Sequence, residues 1–313
     1  MQKIVLLLMI QSVPAFLLTE AAIGQVPSST EKVYLFSSFR GNGEDGLHLA
    51  YSLDGYKWEA LRNDQSFLQP LVGDKLMRDP CIRQGPDGTF HMVWTTGWMD
   101  LGFGYASSRD LVTWSEQVFV PITKDLKGAT NTWAPELFFD QKKDQWLIIW
   151  ATTIKGLFPE SERDDGGHNH RQYYSVTHDF KSFSEAKLYF DPGFNCIDGT
   201  LIEEGGKYHF IFKDERIGKK CLRQAVSEHP EGPFAPCTEP FTRDWVEGPS
   251  AIRMGKDWFV FFDHYAAPQF YGAVKSRDLI HWEDVSEKMV FPRDFRHGTV
   301  IEIDAKTLSG LLQ

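Results

Sequence analysis

A short pattern returns along this chain and narrows the folds open to it. Ser52-x-Asp54-x-x-x-Trp58 comes back as Ser108-x-Asp110-x-x-x-Trp114, Thr177-x-Asp179-x-x-x-Phe183 and Ser276-x-Asp278-x-x-x-Trp282. A degenerate fifth copy runs from Ser227 to Phe234, one residue longer, with Pro230, Gly232 and Pro233 setting the turn. Copies lie roughly 50 to 70 residues apart, the interval of propeller blades rather than of helical repeats. Each reads as a tight turn whose Ser or Thr and Asp side chains bond back to the backbone, followed by an aromatic covering the blade edge.

Strand-like runs precede the turns: Phe90–Trp94, Trp146–Trp150, Tyr208–Phe212 and Trp258–Phe262. They are rich in aromatic and β-branched residues and bounded by Gly, Asp and Lys. A β-sandwich would space its strands 8 to 12 residues apart without the longer period. The expectation is an all-β, five-bladed β-propeller. The first turn copy follows Val33–Phe36 and Leu47–Tyr51, whereas Gly298–Ile303 has no copy after it. The N- and C-terminal strands are therefore expected to share one blade, which closes the ring and leaves no open sheet edge.

Residues 1–24 read as a secretory signal peptide: Lys3, apolar runs at Ile4–Met9 and Val13–Leu18, then Ala21-Ala22-Ile23-Gly24. Gln11, Ser12 and Pro14 break the apolar run too early for a comfortable membrane span. Export to a periplasmic or extracellular location follows, with no membrane association beyond the leader. Residues 25–313 carry no Ser- or Pro-rich linker and are expected to be a single domain, and a monomer. A formal net charge of -10 would repel nucleic acid and anionic membranes, so a neutral or weakly charged substrate is expected. Cys81, Cys196, Cys221 and Cys237 match no zinc spacing. A Cys221–Cys237 disulfide and buried free thiols are both open.

Ahead of each apolar strand stands a short motif with a polar residue near its centre: Arg78-Asp79-Pro80, Trp133-Ala134-Pro135-Glu136, Ile197-Asp198-Gly199, Val246-Glu247-Gly248 and Arg296-His297-Gly298. Innermost propeller strands converge on the axis, so five polar residues at one repeat phase meet at one end of the central channel. Carboxylates brought together repel, which leaves one protonated beside another that stays ionised. An inverting glycosidase needs such a pair roughly 6.5 to 9.5 Å apart, and non-adjacent blades place Asp79 and Glu247 across the channel. Taken singly, each carboxylate reads as an ion pair or a turn cap; the shared phase is what makes them a site.

In their order along the chain these motifs, with Asn131-Thr132 before Trp133, Thr200 after Gly199, Pro249 after Gly248 and Thr299 after Gly298, resemble glycoside hydrolase family 43 from about Glu31 to Ile303. That family has a five-bladed propeller catalytic domain. The resemblance implies that Asp79 is the general base, that Glu247 is the general acid, and that Asp198 raises the pKa of the acid and orients it. Two departures stand out: Glu136 replaces an Asp common in the family and is assigned to pocket lining or strand-head hydrogen bonding, and Gly199 replaces a common Pro. Arg296, in the closing motif, is assigned to substrate binding. In relatives a histidine at the place of His297 holds a calcium ion or a water cluster on the axis, so His297 is a candidate metal residue acting through water; a core histidine bonded to backbone is the alternative. No other cofactor is required.

Trp98, Trp133, Phe194 and Tyr265 are the aromatics placed to stack on a sugar face, while Trp58, Trp114 and Trp282 belong to the turns. The strand-free segment 156–171 reads as an active-site rim or a solvated loop, and its His168 and His170 lack a third metal ligand. The implied function is hydrolysis of arabinose- or xylose-containing oligo- or polysaccharide with inversion. No appended sandwich domain of the kind that narrows xylosidase pockets is read in the chain, which favours an exo-acting α-L-arabinofuranosidase. β-Xylosidase, endo-arabinanase and exo-galactanase are the alternatives within the family. A propeller acting on fructosides is disfavoured by the lack of an Asn-Asp-Pro-Asn and a Glu-Cys. A propeller that binds sugar without cleaving it is the reading from another class.

Overall fold

A computed structural model describes residues 32–313 apart from Glu162 and Asp165, so the signal peptide read at 1–24 lies outside the described residues. The first sheet holds β1 (Val33–Ser38), β2 (His48–Ser52) and β3 (Glu59–Ala60). The second holds β4 (Arg78–Gln84), β5 (Phe90–Thr95), β6 (Phe103–Ser108) and β7 (Val118–Val120). The third holds β8 (Trp133–Asp140), β9 (Gln145–Thr153), β10 (His170–Thr177) and β11 (Lys187–Phe190). The fourth holds β12 (Cys196–Glu204), β13 (Lys207–Asp214) and β14 (Cys221–Ser227), and the fifth β15 (Val246–Met254), β16 (Asp257–His264), β17 (Phe270–Ser276) and β18 (Glu283–Asp284). Finally β19 (Val300–Ile303) pairs antiparallel with β1, Val33 opposite Ile303 and Phe36 opposite Val300. Five antiparallel blades in a ring make a β-propeller.

The repeated turn works as local chemistry dictates. Asp54 accepts the N–H groups of Tyr56 and Lys57 at 2.7 and 2.8 Å, and the Ser52 hydroxyl accepts that of Gly55 at 2.9 Å. Asp110, Asp179 and Asp278 each cap two N–H groups in the same way. The fourth residue of the pattern is left-handed every time, at Gly55, Leu111, Phe180 and Leu279, and these side-chain bonds offset the strain at the three that carry a Cβ. Between neighbouring blades the strand side chains interlock into separate apolar cores. Trp58, stacked on Phe291 and edge-on to Phe261, seals the seam between the first and fifth blades. All four cysteines are free thiols, so the disulfide alternative falls away.

The strands that meet around the axis are β4, β8, β12, β15 and β19. The first four begin with the same β-bulge. Arg78 faces Thr95 but Cys81 faces Val93; Trp133 faces Ala151 but Glu136 faces Ile149. Likewise Ile197 faces Lys213 but Thr200 faces Ile211, and Glu247 faces Asp263 but Ser250 faces Phe261. One extra residue enters each strand, and the second residue of each bulge is left-handed: Asp79, Ala134, Asp198 and Gly248, with φ of 53°, 46°, 52° and 59°. This corrects the expectation of a single shared phase. Asp79 and Asp198 are equivalent, Glu247 stands one residue earlier, and Glu136 stands two residues later.

Candidate active site

The first residues of the four bulges, Arg78, Trp133, Ile197 and Glu247, all line one cavity of about 640 Å³. The second position brings the other two acids to it, Asp79 and Asp198, whose side chains are 12% and 7% exposed. In the fifth blade that position is Gly248, and the missing side chain matters. A Cβ there would lie 2.3 Å from the ring of His297, so the glycine leaves the space that the imidazole occupies. His297 Nδ1 thereby stands 3.3 Å from Asp79 Oδ1 and 3.9 Å from Asp198 Oδ2. The Thr95 hydroxyl donates to Asp79 at 2.8 Å, and the Gly248 N–H donates to Asp198 at 3.1 Å.

Glu247 is held from two sides. Lys213 Nζ lies 3.0 Å from Glu247 Oε2 and 2.7 Å from Glu215 Oε2, while Arg296 Nη2 lies 3.1 Å from Glu247 Oε1. Asp263, which faces Glu247 across the ladder, pairs with the same arginine. Lys213 is only 2% exposed and was not legible as a site residue, because a lysine ending an aromatic strand reads as a turn boundary. Its place opposite Ile197 at the bulge is the signal that, with the register known, finds it.

These contacts sort the carboxyls. Burial pushes Asp79 up, but the His297 imidazolium, Arg78 and Thr95 outweigh it and hold the carboxyl at about 2. Burial pushes Asp198 up to about 7, with His297 opposing and Glu247 adding. Burial also works against ionised Glu247, yet Lys213 and Arg296 outweigh it and keep it below the usual carboxylate range. His297 loses basicity to burial and regains more from Asp79 and Asp198, reaching about 9. Of these three carboxyls only Asp198 is raised, whereas Glu247, the acid of the sequence reading, is lowered. The cause is the two cations flanking Glu247.

Trp98, Trp133, Tyr265 and Arg296 line the cavity, as does His297. Two residues assigned to substrate binding lie elsewhere. Glu136 is buried, pairs with Arg83 at 2.7 Å and accepts from Thr200 at 2.9 Å, because its bulge position matches Cys81, Thr200 and Ser250 beneath the cavity wall. Phe194 lies under the Arg216 guanidinium, 3.9 Å from it, and packs toward Phe212. From the segment 156–171, Asp164, Gly166 and His168 reach the cavity, so it is a rim rather than a free loop. His170 is buried, bonded to Asn131 and held neutral by burial. His297 Nδ1 faces the Asp79 carboxylate, and among the described residues no three His, Cys, Asp or Glu side chains form a group that could hold a metal ion directly.

A family model described as a probable glycosyl hydrolase domain, related to glycosyl hydrolase family 43, matches residues 30–308. An α-L-arabinofuranosidase of Bifidobacterium longum subsp. longum is 27% identical over 161 residues, which span 44% of this chain and 15% of that protein. Among solved structures, the α-L-arabinofuranosidase of Lactobacillus brevis superposes with a TM-score of 0.55 at 18% identity, over 66% of this chain and 72% of that one. The exo-β-1,3-galactanase of Phanerochaete chrysosporium superposes with a TM-score of 0.53 at 11% identity, over 72% and 51%. The two solved structures speak for the fold.

Proposed function

From its membership of the probable glycosyl hydrolase domain family related to glycosyl hydrolase family 43, which makes the chain a glycoside hydrolase, we propose that it is an exported, inverting, exo-acting α-L-arabinofuranosidase. The observation that carries the reading is the placement of Asp79 and Glu247 on non-adjacent blades around one cavity, with Asp198 between them in the ring. Asp79, ionised and oriented by Thr95 and His297, takes a proton from water as that water attacks the anomeric carbon. Glu247 protonates the departing oxygen. Asp198 stores that proton: when Glu247 takes it up, the charge passes to Asp198, where His297 stabilises it.

Support for the sugar comes from the arabinofuranosidase relative, of whose length the chain spans about 15%, and from the sequence reading of export. The test is a panel of aryl α-L-arabinofuranoside, β-xyloside and β-galactoside, with the first-formed anomer followed by NMR. The arabinofuranoside should be turned over fastest and give the inverted sugar. A first product of retained configuration would overturn the single displacement.

The proton store makes a pH prediction. With Asp198 at about 7, the Asp198–Glu247 pair loses its proton as pH rises through that value, so kcat/KM should be level below about 7 and fall about tenfold per unit above it. Asp79, at about 2, stays ionised throughout the acid range and should add no limb above pH 4. Asp198→Asn should lose the alkaline limb along with most of the activity. A limb unchanged in that variant would assign the titration elsewhere.

A further inference from the structure

Arg78 heads the bulge of the second blade, the position that Glu247 and Trp133 hold in theirs, and it lines the same cavity. Its guanidinium carbon lies over two rings, 4.4 Å from the Trp98 ring centre and 4.8 Å from that of Phe39, so two aromatics hold the group in place. Nη1 donates to Asn42 Oδ1 at 2.9 Å. Among the described residues Nε and Nη2 have no hydrogen-bond partner. Every other lysine and arginine lining the cavity is spent on a carboxylate: Lys213 on Glu215 and Glu247, Lys220 on Glu215, Arg296 on Glu247 and Asp263. The charge of Arg78 is felt by Asp79 and Glu44, but among the described residues no carboxylate lies within ion-pair distance of it.

A rigid guanidinium with free donors is built to receive a planar, two-oxygen anion. Resting on the hydrolase reading above, we propose that Arg78 recognises a carboxylate carried by the substrate, so that the enzyme acts on a glycan bearing a uronic acid close to the scissile glycoside. The stacking partners do half of this work in advance, since a pinned fork loses little freedom on binding. The protein's net charge of -10 limits the class further. A polyanion would be repelled over the whole surface, whereas an otherwise neutral chain with isolated uronates meets only the local cation.

Binding, measured apart from turnover, tests this. A uronate disaccharide and its methyl ester are titrated into the wild-type protein by calorimetry at low salt. The acid should bind at least about tenfold more tightly than the ester, and the difference should shrink several-fold as salt is raised. In Arg78→Met the two should bind alike, and Arg78→Lys should keep only part of the preference, because a point charge replaces the fork. Acid and ester binding equally to the wild type, or an Arg78→Met that keeps the preference, would overturn the proposal. Hydrolysis of the aryl panel without any acid preference in binding would sink this inference and leave the hydrolase reading standing; acid preference without hydrolysis of the panel would keep Arg78 as the carboxylate receptor and count against the arabinofuranosidase reading.

Discussion

Glu247→Gln should fold as the parent does and lose ~10²- to 10⁴-fold in kcat on glycosides with a sugar leaving group, yet lose little on an aryl glycoside whose phenol departs unaided. The reason lies in the role assigned to it. A sugar alkoxide cannot leave without a proton, whereas an acidic phenolate can. Folding is protected because Lys213 keeps Glu215 and Arg296 keeps Asp263 when the glutamate loses its charge. Steady-state kinetics on the two substrates decide the matter. Equal losses on both would move the acid to Asp198, the carboxyl of the three that its surroundings raise, and leave Glu247 as a counter-charge for the cations around it.

Asp79→Asn should behave differently, losing ~10²- to 10⁴-fold whatever the leaving group, because the water then lacks a base in every case. Asn tolerates a φ of 53° better than most residues, so the bulge should survive. Azide, a nucleophile that needs no deprotonation, should restore part of the rate and give a glycosyl azide of inverted configuration. The ion pair with His297 goes as well, and the consequence for stability has a definite sign. His297, raised to about 9, contributes stability that is complete below its unfolded value of 6.5 and fades as pH climbs through 9. Asp79, lowered to about 2 from 3.8, contributes stability that is complete above 3.8 and fades as pH drops through 2. The variant's melting temperature should therefore fall below that of the parent by several degrees between pH 4 and 6.5, and the gap should narrow toward pH 9. A variant that keeps full turnover, or one that azide leaves untouched while the protein remains folded, would remove Asp79 from the role of base.

What could be read from the sequence was whatever is local. The Ser-x-Asp turn is a set of bonds within six residues, so its recurrence reports the blades directly. The three acids stand in short motifs and were found for the same reason. Their relation to one another was not local. A bulge shifts a strand by one residue, and without the register Glu247, Asp198 and Glu136 look equivalent although they occupy three different positions. Glu136 was thus left between pocket lining and strand-head hydrogen bonding, and the register gives it the second, beneath the cavity. Lys213 was passed over because Glu247 sits on the neighbouring blade, 34 residues on, and Glu215 two residues away reads with it as a solvated strand end. Phe194 read as a sugar platform and proved to be the cushion of Arg216, a contact that depends on how one loop folds back.

The pairing of β19 with β1 has a temporal side. Asp79 lies far ahead of His297 in the chain, so the carboxylate is made before the imidazole that keeps it ionised. Because β19 follows His297 by two residues and pairs with β1, the strand that joins the first blade also sets the imidazole beside Asp79.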